Sequence, residues 1–104
     1  MQDKICAVYI LANERNTVLY TGVTSNLPRR LWQHRNTWDR MSFTSRYNVK
    51  KLVWYETAPN IRAAITREKQ IKAASRQKKE SLITAINPEW RDLSEGLLAG
   101  KAPS

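Results

Sequence analysis

The most chemically suggestive residue in this 104-residue chain is Glu68. Residues from Ile61 to about Ala74 have the spacing of a helix whose apolar face is Ile61, Ala64, Ile65 and Ile71, and Glu68 falls near the middle of that face. A carboxylate there is costly unless it is paired or binds a metal. Two readings follow: an ion pair with Lys72 one turn on or with a nearby arginine, or a ligand for Mg²⁺ or Mn²⁺. Magnesium suits a site with one carboxylate, several waters and a substrate phosphate. Arg30 and His34 stand at i and i+4 on another helix. An arginine fork can hold a phosphate as its charge grows, and a histidine can exchange a proton near neutral pH. His34 is the only histidine, so it cannot be half of a two-histidine metal site. Tyr9 and Tyr20 lie on successive strand-like runs and meet on one face if the chain turns between Ala12 and Asn16. For all five side chains to share one cavity, the first two helices must pack on the tyrosine face.

The elements that would position these residues are legible in outline. Ile5 to Leu11 is apolar on both faces and predicts a central strand. Thr17 to Thr24 alternates, with Val18, Tyr20, Gly22 and Thr24 on one face and Leu19, Thr21 and Val23 on the other. Gly22 weakens a strand interior and marks a close approach by a backbone or a ligand. Ser25 or Asn26 caps a helix with Pro28 in its first turn, running to about Asn36 or Trp38 with Leu27, Leu31, His34 and Trp38 inward. Lys51 to Thr57 is a third strand, and Pro59 and Asn60 open the second helix, with Ser75 extending its apolar face. A third helix covers about Gln77 to Ile86 with Leu82, Ile83 and Ile86 inward, and Trp90 anchors a segment through Leu93. The order β-β-α-β-α-α predicts an α+β fold, a small three-stranded antiparallel sheet flanked by helices.

Composition narrows the function classes. Hydrophobic residues at 41% and charged residues at 26% are those of one globular domain, and no apolar run reaches the ~20 residues of a membrane helix. Cys6 is the only cysteine, which excludes an internal disulfide and a cysteine-rich zinc site. With no signal-like basic stretch at Met1 to Lys4, the cytoplasm is the expected compartment. The net charge is +9, and residues 26–79 hold fourteen basic residues against three acidic ones. Such a middle is a footprint for a polyanion, nucleic acid first, although basicity does not separate DNA from RNA. Arg29, Arg35, Arg40, Arg46, Lys50, Lys51, Lys69 and Lys72 are the candidate phosphate contacts.

From Ile5 to Leu93 the chain resembles the GIY-YIG nuclease superfamily. The residues that carry the likeness are Ala7-Val8-Tyr9, Tyr20-Thr21-Gly22, Arg30, His34 and Glu68, with Leu19 to Leu31 the most specific stretch. Residues 67–72 and 87–93 look like those of short bacterial single-domain members, which are similar to the N-terminal nuclease domain of the excision-repair excinuclease. Ala7, Val8 and Thr21 depart from the name-giving triplets but keep small or strand-compatible side chains. The resemblance implies a nuclease-like domain over residues 1–94, a flexible tail over 95–104, and metal-assisted hydrolysis of DNA in repair or recombination. It further implies that Tyr9 positions or deprotonates the attacking water, His34 shares that proton, Tyr20 holds the water or a phosphate oxygen, Arg30 steadies the phosphorane-like charge and Glu68 holds Mg²⁺. A late asparagine often lies near such sites, and Asn87 is the candidate here. Two other readings stay open: a nucleic-acid-binding module with vestigial or partner-dependent cutting, and a basic interaction protein. The oligomeric state, monomer or otherwise, is not legible.

Overall fold

The apolar segment after Ile5 becomes the central strand because both of its faces have something to bury against. In the computed structural model, which describes residues 5–35 and 48–99, β1 (Cys6–Ala12) pairs antiparallel with β2 (Leu19–Thr24) on one side and β3 (Lys51–Ala58) on the other. The rest of the described chain is α1 (Leu27–Arg35), α2 (Ile61–Ala73), α3 (Arg76–Ile86) and α4 (Ser94–Ala99). The fold is α+β, in the expected order as far as α3. Where a loose tail was expected from residue 95, the chain forms the short helix α4.

The two sheet faces carry separate cores. Ala7, Tyr9 and Leu11 pack with Leu27 and Leu31 of α1 on one face. Val8 and Ile10 pack with Ala64 and Ile71 of α2 and Ile83 of α3 on the other. This corrects the expected packing, in which both of the first two helices lie on the tyrosine face. Ile61, Ile65 and Ile86 were expected inward and are exposed, Ile86 by 60%. A sheet three strands wide covers only a narrow stripe of each helix, here the line through Ala64 and Ile71 on α2. Ser75 does not extend the face of α2 but caps α3, accepting a hydrogen bond from Lys78 N at 3.1 Å.

Local chemistry sets the connections. Asn13 Oδ1 accepts from Thr17 N and Val18 N at 2.8 and 3.0 Å, which closes the β1–β2 turn, and Asn16 takes the left-handed conformation at φ 59°. Arg76, at the start of α3, donates to the carbonyls of Asn16 and Thr17 at 2.7 and 3.0 Å. Asn26 caps α1 and Asn60 caps α2 through their side-chain oxygens. On β3 the register slips, with Ile10 opposite Trp54 but Leu11 opposite Leu52. Val53 is the extra residue, so Val53 and Trp54 both join the α2 face. Beyond this bulge Tyr55 returns to the tyrosine face, directly opposite Tyr9. Asn87 supports the bulge by donating to the Val53 carbonyl at 3.0 Å.

Candidate active site

Tyr9 is at the centre of the sheet, with Gly22 beside it on β2 and Tyr55 beside it on β3. Its ring lies over the neighbouring strand. A Cβ on Gly22 would sit 2.5 Å from the Tyr9 hydroxyl oxygen, so the close approach read from this glycine is that of a side chain. Tyr20 is opposite Leu11, and its ring therefore meets that of Tyr9 diagonally, centroids 6.3 Å apart and planes tilted by 44°. The α1 helix starts where Leu27 N donates to Ile5 O at 3.0 Å, and Leu27 and Leu31 fix its inward stripe. That orientation aims Arg30 at the tyrosines. Arg30 Nε donates to Tyr9 Oη at 3.3 Å, the guanidinium makes a further contact with Tyr20, and Nη1 reaches Gln33 Oε1 at 3.4 Å.

Tyr9 is 0% exposed and Arg30 half-buried, so the tyrosine lies beneath the arginine. Burial raises the Tyr9 pKa above the usual tyrosine range. Arg30 opposes this through its hydrogen bond and charge, while Tyr20 and Glu68 reinforce it. Tyr9 is then a neutral phenol through the physiological range, and it accepts a hydrogen bond from Arg30. The hydrogen bond from Arg30 thus links α1 to the sheet.

Glu68 comes to this neighbourhood from the α2 side. The charge of Lys72 acts on Tyr20, and that of Glu68 acts on Tyr9. The Glu68 side chain is 12% exposed, and Oε2 pairs with Lys72 Nζ at 2.7 Å. This bond raises the Lys72 pKa above the ordinary lysine range. The charge of Glu68 therefore reaches Tyr9 even though α2 packs on the opposite face. Among the described residues no group of three His, Cys, Asp or Glu side chains converges. That donor set does not fit a structural zinc or a carboxylate-bridged metal pair, and it fits a hydrated magnesium ion held by one carboxylate and substrate oxygens.

The remaining candidates divide. His34 and Arg35 belong to α1, His34 one turn after Arg30. Arg40 and Arg46, like Trp38, lie outside the described residues. Arg29 and Lys69 are exposed, on α1 and α2, while Lys50 and Lys51 are half-buried at the start of β3. Asn87 is buried, with its amide donating to the carbonyls of Val53 and Arg91 and accepting from Arg91 N, so both of its donors are spent on the backbone. It is a structural residue. Gln33 and Tyr55 were not singled out beforehand. Gln33 could have been found from its i+3 spacing to Arg30, whereas Tyr55 depends on the bulge.

The model of the GIY-YIG catalytic domain matches residues 5–81. This chain belongs to the GIY-YIG family. A UPF0213 protein of Syntrophus aciditrophicus is 39% identical over 82 residues, 79% of this chain and 92% of that protein. A UPF0213 protein of Natronomonas pharaonis is 38% identical over 76 residues, 73% of this chain and 87% of its own. The solution NMR structure of the UPF0213 protein BH0048 from Bacillus halodurans shares the fold, with a TM-score of 0.54 at 27% identity over 85% of this chain and 92% of that one. The chain is thus a short GIY-YIG catalytic domain similar in length to these relatives. No described helix of this GIY-YIG chain is long and apolar enough to cross a membrane.

Proposed function

We propose that this GIY-YIG chain is a magnesium-dependent endonuclease that hydrolyses DNA phosphodiester bonds in repair or recombination. The observation that carries this reading is the contact of Arg30 with buried Tyr9 and with Tyr20, beside which the charge of Glu68 acts on Tyr9. Arg30 would take a non-bridging phosphate oxygen, with its fork aimed by Tyr9 below and Gln33 beside it. Charge on that oxygen grows during attack, so a guanidinium already oriented acts mainly on the transition state. Tyr20, half-buried at the surface of the site, would hold the attacking water or a phosphate oxygen through its hydroxyl. Tyr9 is the positioning residue for Arg30. The proton of the water would pass to His34, one turn along α1, or to Tyr9, the two acceptors the resemblance implies. Glu68 would hold the magnesium ion, which supplies Lewis-acid stabilisation of the phosphoryl oxygens and the leaving group when bound.

The test is a nuclease assay of the full chain on branched, nicked and linear DNA with Mg²⁺ and with EDTA. Cutting that needs Mg²⁺ and disappears in Glu68→Gln, with the circular dichroism spectrum unchanged, supports the proposal. Unfolding of Glu68→Gln with no cutting by the wild type on any of the three substrates would overturn it, leaving Glu68 as half of a structural ion pair.

A further inference from the structure

We propose that Lys72 competes with a divalent cation for Glu68 and moves to a substrate phosphate when the cation takes its place. This rests on the metal-binding reading of Glu68 and adds a coupling device to it. The carboxylate of Glu68 is 12% exposed, and its Oε2 is 2.7 Å from the Lys72 ammonium. A carboxylate so covered requires a counter-charge, because an unpaired buried charge is far more costly than a paired one. Lys72 meets that requirement from the next turn of α2.

The pair is lopsided. Lys72 is 55% exposed, on a flexible four-carbon stem, whereas Glu68 is held against the sheet. When the pair opens it is therefore the lysine that leaves. A magnesium ion binds a carboxylate oxygen at about 2.0–2.1 Å. With the ammonium on Oε2 of the same carboxylate, the two cations would be about 4 Å apart, where repulsion of a double and a single charge is substantial in a partly dry site. One displaces the other. The displaced ammonium already stands among basic neighbours, with Lys69 three residues back on α2 and Arg30 across the site near Tyr20, and a phosphate there provides the negative charge it has lost. Cation binding thus frees a phosphate contact, and a nucleic acid that captures Lys72 frees Glu68 for the cation. By linkage each ligand tightens the other by the same factor.

A plain i, i+4 helix pair would have the same distance but no such coupling. The discriminating experiment measures Mn²⁺ binding to the full chain by electron paramagnetic resonance of the free ion, alongside affinity for a short DNA duplex with Ca²⁺ or with EDTA. Lys72→Met should bind Mn²⁺ about tenfold more tightly than wild type, Lys72→Arg should match wild type, and Glu68→Gln should lose the site. Ca²⁺ should tighten DNA binding about 5–10-fold in the wild type and clearly less in Lys72→Met. Equal or weaker Mn²⁺ binding in Lys72→Met, with the site lost in Glu68→Gln, overturns the competition and leaves the metal-binding reading standing. Absence of saturable Mn²⁺ binding in every variant overturns both.

Discussion

At the residue scale, the arrangement turns on one buried phenol. Tyr9 accepts from Arg30 Nε at 3.3 Å and lies over a glycine because any side chain there would strike its hydroxyl. Tyr9→Phe keeps the ring and its packing but releases Arg30. The expected loss is about 10²-fold in cutting rate, the size of a small misplacement of a catalytic group. The pH dependence below about pH 8 should keep its shape, since a phenol of raised pKa is neutral there; loss of that limb in Tyr9→Phe would identify Tyr9 as the base. Stability carries a second signature. The folded state raises the Tyr9 pKa, so it retains this proton to higher pH than the unfolded chain. The contribution to stability is therefore complete below about pH 10 and drains away as pH rises through the folded value. Wild-type melting temperature should accordingly fall more steeply than that of Tyr9→Phe above about pH 10. The types and spacing of Tyr9, Tyr20, Arg30 and Glu68 were legible in the sequence. Which tyrosine lies underneath was not, because depth depends on the strand order, and alternation names only a face.

At the scale of elements, the bulge at Val53 is the least visible feature and one of the most consequential. Reading Leu52 to Tyr55 with a period of two assigns Val53 and Trp54 to opposite faces, whereas the slipped register brings them to the same one. A single extra residue cannot be seen without the partner strand that skips it. The helix caps were easier, since Asn26 and Asn60 act within three residues of themselves. The placement of α2 was harder: an apolar stripe tells which side of a helix is buried but not which side of the sheet receives it. Asn87 is the brace of the bulge, with three hydrogen bonds to Val53 and Arg91. Asn87→Ala leaves buried backbone groups without partners and should cost about 2–3 kcal/mol, seen as a fall of roughly 10 °C in melting temperature. Cutting measured well below the transition should change little. A large loss of activity with full stability would instead make Asn87 part of the site.

At the scale of the whole molecule, charge and chemistry share one region of the sequence. The fourteen basic and three acidic residues of segment 26–79 include Arg30 and Glu68. Among the described residues, three of those basic residues are paired within the protein: Arg67 with Glu56, Arg76 with Glu80 and the hairpin loop, Lys72 with Glu68. Outside these pairs, Arg29 and Lys69 are exposed. If about four phosphates are contacted, affinity for duplex DNA should fall roughly 10²-fold between 50 and 200 mM salt. Fluorescence anisotropy across that range checks it, and a flat response would remove the electrostatic account of binding. The sequence predicts the sign of this field, whereas which charges face outward depends on the fold.

The clasp between Arg76 and the hairpin carbonyls joins positions 59 and 60 residues apart. On the ribosome this separation becomes time. The β1–β2 hairpin emerges early, yet Lys51 must follow before β1 gains its second neighbour, Ile71 before Val8 and Ile10 are covered, and Arg76 before the turn is clasped. At about 5–20 residues per second the wait from Ala12 to Arg76 is roughly 3–13 s. Until β3 has followed, the most apolar strand of the protein has an unpaired edge, a template for joining other chains. A holdase meeting the nascent chain would find its target in the first dozen residues.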